Sequence, residues 1–465
     1  MKNKLLYLFA AMFFLAACEP KIQEFEASAG DADFTKYVSV GNSLTAGYAD
    51  GALYKSAQEN AYPNILATQF SLVDGGVFIQ PVIDNEFGIL PGKRKLGISL
   101  DCNNVAGLGP VADVGALAPI APVGYAVNNM GVPGAKSYHL LAPGYGSIAG
   151  LMTLPPTANP YFVRFASSTT TSVVADAAAA NPTFFSLWIG NNDVLGYATS
   201  GGRGNVTNEI ITPEVMFNGA MDLIVGALTA GGAKGVIANI PDVTDVPFFT
   251  TVPFNGLYLD ADKAAALNGA YAAVEAAIQG MGVAGFTYGF NFTAGYNAFV
   301  IEDLDFPIAG LPKVFKIRQA RAGELILLTV PQDSLKCYGM GSFSVANSKP
   351  FGIPSKYVLD ETEVTNIKNA VTAFNTKIQS LATEKGLAFV DMNANLKNAK
   401  TGVYYDGQLF TTKYVTGGIF SLDGIHLNGQ GNAIVANYFL DAINLKYNAK
   451  IPKVDVNFYP GLKFP

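Results

Sequence analysis

Short apolar runs alternate with amphipathic stretches along most of the chain. The runs have the character of buried strands, whereas the stretches between them have helical spacing. The predicted strands are Lys36–Gly41, Tyr125–Asn129, Thr183–Ile189, Gly235–Ile240 and Leu387–Asp391. The predicted helices are Asn60–Phe70, Thr170–Ala180, Pro213–Ala230, Leu359–Thr383 and Gly429–Leu445. This alternation predicts an α/β fold with a central, mostly parallel five-stranded sheet and helices on both of its faces.

Two stretches interrupt the alternation. Residues 71–123 are rich in Gly, Pro and Asp, and residues 283–355 mix aromatic, charged and turn residues. We interpret both as insertions on the loop side of the sheet, where they could shape a substrate cleft. Surface decoration or a small subdomain is the alternative interpretation.

The composition is typical of a well-packed globular protein. Half of the 465 residues are hydrophobic and 14% are charged, which excludes a disordered chain. The net charge is −6 without a long basic run, which argues against nucleic acid as a partner. The two histidines and three cysteines form no cluster with metal-ligand spacing, so neither a metal nor another cofactor is expected.

The N-terminus has the features of a secretory leader. Lys2 and Lys4 precede an apolar run from Leu5 to Ala17, which is too short for a stable membrane span. The run ends in Leu-Ala-Ala-Cys at Cys18, which resembles the bacterial lipobox, in which the cysteine receives the lipid. An ordinary secretory leader whose cleavage site abuts a cysteine is the alternative.

These features divide the chain into four parts. We expect residues 1–17 to be a lipoprotein signal peptide and residues 18–34 to be a tether that begins at the lipidated cysteine. Residues 35–448 would form the folded domain, and residues 449–465 a C-terminal tail. The lipid would anchor this domain to a membrane of the bacterial cell envelope, most simply the outer membrane, facing the periplasm or the cell surface.

Two cysteines remain, Cys102 and Cys337, one in each predicted insertion. Outside the cytoplasm a disulfide between them is chemically permitted. The sequence does not fix the distance between them, so the paired and unpaired states both remain open.

Candidate chemistry lies at the two ends of the domain. His426 is one of two histidines in the chain, and histidine is the side chain whose ordinary pKa suits proton transfer near neutral pH. Asp423 is close enough along the chain to accept a hydrogen bond from its imidazole if the segment turns. Ser43 lies at the tip of a turn that follows the first predicted strand. A serine, a histidine and an aspartate are the parts of a nucleophilic hydrolase.

Four short blocks carry this chemistry in order along the chain. They are Gly41-Asn-Ser-Leu44, Asn129-Met-Gly-Val-Pro-Gly134, Ile189-Gly-Asn-Asn-Asp193 and Asp423-Gly-Ile-His426. Their order and content resemble the SGNH, or GDSL-type, hydrolases, a family of esterases, lipases and carbohydrate deacetylases. The resemblance spans most of the mature chain, although only the four blocks are specific. It implies a three-layer, flavodoxin-like α/β/α fold for this chain, which would be a lipoprotein member of the family.

The resemblance also implies a role for each block residue. Ser43 would be the nucleophile that forms an acyl-enzyme, His426 would take its proton, and Asp423 would orient the imidazole. The backbone N–H groups of Ser43 and Gly131, together with the side-chain amide of Asn192, would form the oxyanion hole. Donors fixed where negative charge develops are what a tetrahedral intermediate requires.

One block departs from the family pattern. The family usually has Asp before the serine, whereas this chain has Asn42. Because that aspartate is not the acid of the triad, the change leaves the predicted triad intact while removing a negative charge beside the nucleophile. Outside the triad, we interpret His139 as structural, Asp193 as a capping or supporting residue, and Trp188 as part of the core.

The sequence therefore predicts a membrane-tethered serine ester hydrolase. Lipid esters, acylated glycans and small acyl esters are all candidate substrates, because specificity in such folds depends on inserted loops. The alternative is a surface binding lipoprotein that keeps the fold with little or no turnover.

Overall fold

The computed structural model of the protein describes residues 25–204 and 209–465. The predicted signal peptide and Cys18 lie outside these residues. The strands, in chain order, are β1 Tyr37–Gly41, β2 Arg94–Leu100, β3 Ala106–Ala112, β4 Asn129–Gly131, β5 Phe184–Trp188, β6 Lys234–Ala238, β7 Leu257–Leu259, β8 Gly295–Asn297, β9 Val300–Glu302, β10 Ile317–Gln319, β11 Leu325–Ile326, β12 Ser342–Ser344, β13 Lys349–Phe351, β14 Val358–Leu359, β15 Ala388–Val390, β16 Val403–Tyr405 and β17 Gln408–Phe410. The helices are α1 Ser43–Ala46, α2 Lys55–Glu59, α3 Tyr62–Phe70, α4 Pro160–Val163, α5 Val173–Ala179, α6 Asn192–Thr199, α7 Glu214–Thr229, α8 Pro247–Thr250, α9 Ala261–Gly280, α10 Gln332–Cys337, α11 Glu361–Glu384, α12 Met392–Thr401 and α13 Gly429–Tyr447.

A five-stranded sheet forms the centre of the molecule. Its order is β4–β1–β5–β6–β15, and every neighbouring pair is parallel. All residues of β1 and β5 are buried, which is why both strands are mainly apolar, with one small serine each, rather than alternating between apolar and polar residues. Phe184 of β5 contacts the rings of Phe34 and Phe70 in the core beneath the sheet. The α/β class and the central parallel sheet predicted from the sequence are confirmed.

Four of the five predicted strands agree with the structure to within two residues, but the prediction for β4 is wrong. The strand was predicted at Tyr125–Asn129, whereas β4 pairs with β1 only from Asn129 to Gly131. Asn128 is the transition: its carbonyl still accepts from the Ser39 N–H of β1, whereas its N–H donates to the Ile79 carbonyl and its side-chain oxygen accepts from the Ile79 N–H. The sheet therefore begins at Asn129, and the preceding residues form a loop.

The predicted helices form because their ends are specified locally. Pro63 lies in the first turn of α3. Backbone N–H groups in the first turn have no acceptor within the helix, so the N–H that proline lacks costs the helix no hydrogen bond. Asp360 caps α11 by accepting from the Glu363 N–H, and the Glu363 carboxylate accepts from the Asp360 N–H in return. Such reciprocal caps satisfy backbone groups that have no partner inside the helix.

The second predicted insertion contains small hydrophobic clusters of its own. Tyr271 of α9 packs with Phe292, Val300 and Ile317 in a cluster separate from the core of the sheet. Helix α9 precedes residue 283, where the insertion was predicted to begin, yet it shares this cluster. The alanine-rich sequence of α9 does not predict this helix.

The first predicted insertion contains the antiparallel hairpin β2–β3. Cys102, in the turn of this hairpin, and Cys337, at the end of α10, are joined as a disulfide whose Cα atoms are 6.4 Å apart. The paired state that the sequence left open is therefore the one present in the structure, and it links the two insertions.

Segments at both ends of the described chain pack on the domain. Ser28 and Lys450 exchange backbone hydrogen bonds, and Phe34 and Ile451 are buried. Residues predicted as tether and tail thus contribute to the folded body. Among the described residues, no helix is both long and apolar enough to cross a bilayer.

Candidate active site

Ser43 is the first residue of α1, directly after β1. Asn42 caps this helix by accepting from the Leu44 N–H at 3.0 Å, which fixes the sharp turn out of the strand. The Ser43 side chain is nearly buried, with 7% of its surface exposed. The turn therefore holds the hydroxyl at the carboxyl end of the central sheet, where parallel α/β folds gather their functional groups.

His426 reaches Ser43 from the opposite end of the chain. Its Nε2 lies 2.8 Å from Ser43 Oγ, and its Nδ1 lies 2.9 Å from Asp423 Oδ2. The structure thus brings the three predicted triad residues together in the predicted order. Both the imidazole and the carboxylate are largely buried, which shields their interaction from water.

A tight loop gives Asp423 and His426 their relative position. Asp423 Oδ1 accepts the backbone N–H groups of Ile425 and His426 at 2.9 and 2.8 Å. Gly424 between them has φ of 73°, and a side chain there would crowd Phe248. The sequence Asp-Gly-Ile-His therefore folds on itself as the predicted hydrogen bond requires.

Electrostatics favours one protonation state in this loop. Burial opposes the charge of Asp423, but the charge and hydrogen bond of His426 and the backbone N–H groups outweigh it, so the pKa of Asp423 lies well below its ordinary value. An ionised carboxylate can only accept, so Nδ1 of His426 carries the proton of that hydrogen bond. Nε2 is then the acceptor that faces the Ser43 hydroxyl.

Asn192 lies at the start of α6 and lines the same cleft as Ser43 and His426. Its Nδ2 donates to the Ala135 carbonyl at 2.9 Å. A primary amide has two N–H bonds, and among the described residues the second has no partner. Asn192 is therefore positioned by one hydrogen bond and has one donor left for a ligand.

Gly131 is fixed by close packing of β4 against α1. A Cβ at this position would collide with the backbone of Thr45 and Ala46, so no larger residue fits. The Gly131 N–H donates to Asn129 Oδ1 at 3.0 Å in this structure. To serve in an oxyanion hole as predicted, the Gly131 N–H would have to break this hydrogen bond to Asn129 or share its proton between Asn129 and the oxyanion.

Asp50 is a site residue that the sequence analysis missed. Its Oδ1 accepts the Leu422 N–H at 2.9 Å, and its own N–H donates to Ser421 Oγ at 3.0 Å. The adjacent Gly51 N–H donates to Asp423 Oδ2 at 3.1 Å. These bonds fasten the loop of His426 to the turn that follows Ser43. The Asp-Gly pair is a turn signal that could have drawn attention to this position.

The remaining candidates lie where they were predicted, outside the triad. His139 stacks on Tyr145 and accepts from the Lys136 N–H, and burial lowers the pKa of His139 to about 4. Asp193 is fully buried and accepts from the N–H and hydroxyl of Ser137. Trp188 is 3% exposed and donates to the Asn239 carbonyl, although it also lines the cleft.

The cleft beside Ser43 differs from the one expected. Among its described lining residues, none comes from residues 71–123 or 283–355. It is lined instead by the segments after β5 and β6 and by α12 and α13. Within the described chain, no group of three or more His, Cys, Asp or Glu is arranged to hold a metal ion.

Comparison of the chain with protein-family models and with curated proteins found no match. The geometry of the site is therefore what indicates its function.

Proposed function

We propose that the protein is a serine ester hydrolase of the SGNH type, with the three-layer α/β/α arrangement of that family. The observation that supports this most strongly is the relay from Ser43 Oγ through His426 to Asp423, with successive distances of 2.8 and 2.9 Å. Ser43 and His426 are 383 residues apart in sequence, so their contact is a product of the whole fold. A nucleophile, a base and an orienting acid in this order are what acyl transfer requires.

The first half of the reaction forms an acyl-enzyme. Ser43 Oγ attacks the ester carbonyl carbon while its proton moves to Nε2 of His426. The tetrahedral intermediate collapses as the bond to the alcohol oxygen breaks, and His426 returns the proton to that oxygen. The alcohol leaves, and the acyl group stays bonded to Ser43. Asp423 stabilises the imidazolium that forms between these two proton transfers.

The second half of the reaction releases the acid. His426 takes a proton from water as the water oxygen attacks the acyl carbonyl, and the bond to Ser43 Oγ breaks as that proton passes to the serine. The products are a carboxylic acid and the free enzyme. No step requires a cofactor.

The oxyanion would be held by the Ser43 N–H and by the uncommitted N–H of the Asn192 amide. The Gly131 N–H would join them by turning from Asn129 Oδ1 towards the stronger, charged acceptor. Such donors act in the transition state more than in the ground state, because full negative charge is present only there.

Lipidation of Cys18 would place this reaction at a membrane of the bacterial envelope. Candidate substrates are lipid esters, acylated glycans and small acyl esters, and nucleic acid has no part in the proposal.

Hydrolysis of p-nitrophenyl butyrate by the full-length protein tests the proposal. Ser43→Ala is expected to lower kcat/KM by about 10⁴-fold or more, because the hydroxyl that attacks the carbonyl is gone. Ser99→Ala, on the exposed hairpin strand β2, is the matched control and is expected to retain wild-type activity. Turnover that survives in Ser43→Ala, or wild-type protein without turnover, would contradict the proposal.

A further inference from the structure

The cleft at Ser43 continues well beyond the triad. Beyond the polar groups of Ser43, His426 and four asparagines, its walls are almost entirely apolar. Two helices supply the far part of the cleft, and each does so with a regular stripe of side chains.

The stripe on α12 consists of Met392, Asn395, Leu396 and Ala399. These positions have the spacing i, i+3, i+4 and i+7, which places them on one face of the helix. The face therefore borders the cleft over two turns, or about 10 Å of helix.

The stripe on α13 consists of Gly431, Ile434, Val435 and Tyr438 and has the same spacing. Helix α13 begins at Gly429, shortly after His426, so its successive turns lie progressively farther from the triad. Tyr438 and Val435 thus border the part of the cleft most remote from Ser43 along this helix.

The dimensions and walls define the ligand. Each of the two stripes borders the cleft over about 10 Å, so the cleft accepts an extended chain rather than a single methyl group. Apolar walls favour hydrocarbon over any polar chain, because a buried polar group without a partner is costly. Each methylene buried in such a cleft strengthens binding about fourfold.

We propose that this cleft binds the unbranched saturated chain of a medium-length acyl group, which makes the enzyme selective for medium-chain acyl esters. The selectivity rests on the proposed hydrolase function, whereas the binding of the chain does not. The acyl carbon lies at Ser43, and the chain extends between α12 and α13 towards Val435 and Tyr438.

The first test is the dependence of kcat/KM on chain length for p-nitrophenyl acetate, butyrate, octanoate and palmitate. A maximum at octanoate is expected. Val435→Phe narrows the remote part of the cleft and is expected to lower the ratio of octanoate to acetate kcat/KM at least tenfold. Val435→Ala is expected to move the optimum towards longer chains. Leu445→Phe, at an 86% exposed position on the same helix, is the matched control and is expected to leave the profile unchanged.

The second test measures binding without turnover. Isothermal calorimetry with sodium octanoate is expected to show binding to Ser43→Ala and at least tenfold weaker binding to Ser43→Ala combined with Val435→Phe. If kcat/KM does not vary with chain length and Val435→Phe leaves it unchanged, the chain site is overturned. Hydrolysis of the acetate ester would still support the hydrolase function in that case. Conversely, octanoate binding that Val435→Phe weakens would support the chain site even if no ester were hydrolysed. Absence of octanoate binding would overturn it.

Discussion

Asp423 is the residue whose surroundings determine the protonation of the triad. Its carboxylate accepts from Nδ1 of His426 and from three backbone N–H groups, those of Gly51, Ile425 and His426. These bonds, together with the charge of His426, hold the pKa of Asp423 far below its ordinary value in spite of burial. The carboxylate therefore stays ionised throughout the pH range in which an esterase works. A change of activity with pH near neutrality would then come from the ionisation of another group.

Activity is expected to fall at acidic pH as His426 becomes protonated, because only the neutral imidazole can accept the Ser43 proton. Protonation of the imidazole removes the acceptor for the Ser43 proton, so the active form of the enzyme is the one present at higher pH. His139 cannot produce this loss between pH 5 and 8, because burial lowers the pKa of His139 to about 4. The pH profile of kcat/KM for a p-nitrophenyl ester measures it.

The two histidines provide a matched pair of variants for this profile. His426→Gln is expected to abolish the titrating activity, whereas His139→Gln is expected to keep both the activity and the acidic limb. Loss of activity in the His139 variant, with retention in the His426 variant, would rule out the triad.

Asn192→Ala is expected to lower kcat by about 10²–10³-fold with little change in KM. The reason is that the amide acts on the oxyanion, which exists only in the transition state. Steady-state kinetics on one ester separate the two constants. A change confined to KM would instead assign Asn192 to substrate binding.

Local motifs predict the triad because each block carries its own turn chemistry. Asp423 and His426 meet through a loop of four residues, and Ser43 follows a strand that can be recognised from its apolar run. Asp50 could not be predicted in the same way, since its contact with Leu422 joins positions 372 residues apart. The same is true of the Gly131 N–H, whose acceptor, Asn129, depends on how a three-residue strand is placed.

At the scale of whole elements, a helix or strand can be predicted from the sequence when its own residues carry a clear hydrophobic pattern. β5 is a run of five buried residues bounded by turn signals, and its prediction from the sequence is correct to within a residue. β4 has three residues, Asn, Met and Gly, which carry no strand periodicity, so only pairing with β1 defines it. Helix α9 is rich in alanine and packs against the second predicted insertion, and its apolar positions do not form a clear stripe in the sequence.

The disulfide between Cys102 and Cys337 links two elements that are otherwise separate insertions, the β2–β3 hairpin and α10. Their separation is 235 residues, so the bridge closes a long loop in the unfolded chain. Removing it is expected to destabilise the protein by up to about 5 kcal/mol, mainly because the unfolded chain gains conformational entropy when the loop is opened. Thermal unfolding with and without dithiothreitol measures this.

The double variant Cys102→Ser, Cys337→Ser is the control for that measurement. Its unfolding temperature is expected to match that of the reduced wild-type protein and to be insensitive to dithiothreitol. An unfolding temperature that neither reduction nor the double substitution changes would show that the bridge contributes nothing to stability.

For the molecule as a whole, the length of chain before the folded body limits how far it can lie from an anchor. Phe25 is the first described residue, and Ser28 already pairs with Lys450 on the domain. Seven residue steps from Cys18 to Phe25 span at most about 25 Å. A lipid on Cys18 would therefore hold the body close to the membrane surface.

The cleft between α12 and α13 could not be predicted from the sequence, because its apolar stripes are indistinguishable in sequence from core-facing ones.

Expression with the native leader is expected to give a membrane-associated protein that detergent extracts, with a lipid-modified Cys18 at its N-terminus. Cys18→Ser is expected to remain unprocessed or to be released. Fractionation and mass spectrometry of the N-terminal peptide measure both. An unmodified mature chain in the soluble periplasmic fraction would contradict lipidation.

The central claim is that Ser43 is an activated nucleophile, and labelling with a fluorophosphonate tests it most directly. The Ser43 hydroxyl, which His426 can deprotonate, is expected to displace fluoride and to bond to phosphorus at one site per chain. Mass spectrometry of the digested protein is expected to find the adduct on the peptide that contains Ser43. Heat-denatured protein and Ser43→Ala are expected to remain unlabelled, as is His426→Gln on the same timescale. Folded wild-type protein that stays unlabelled, or an adduct on a different serine, would contradict the account.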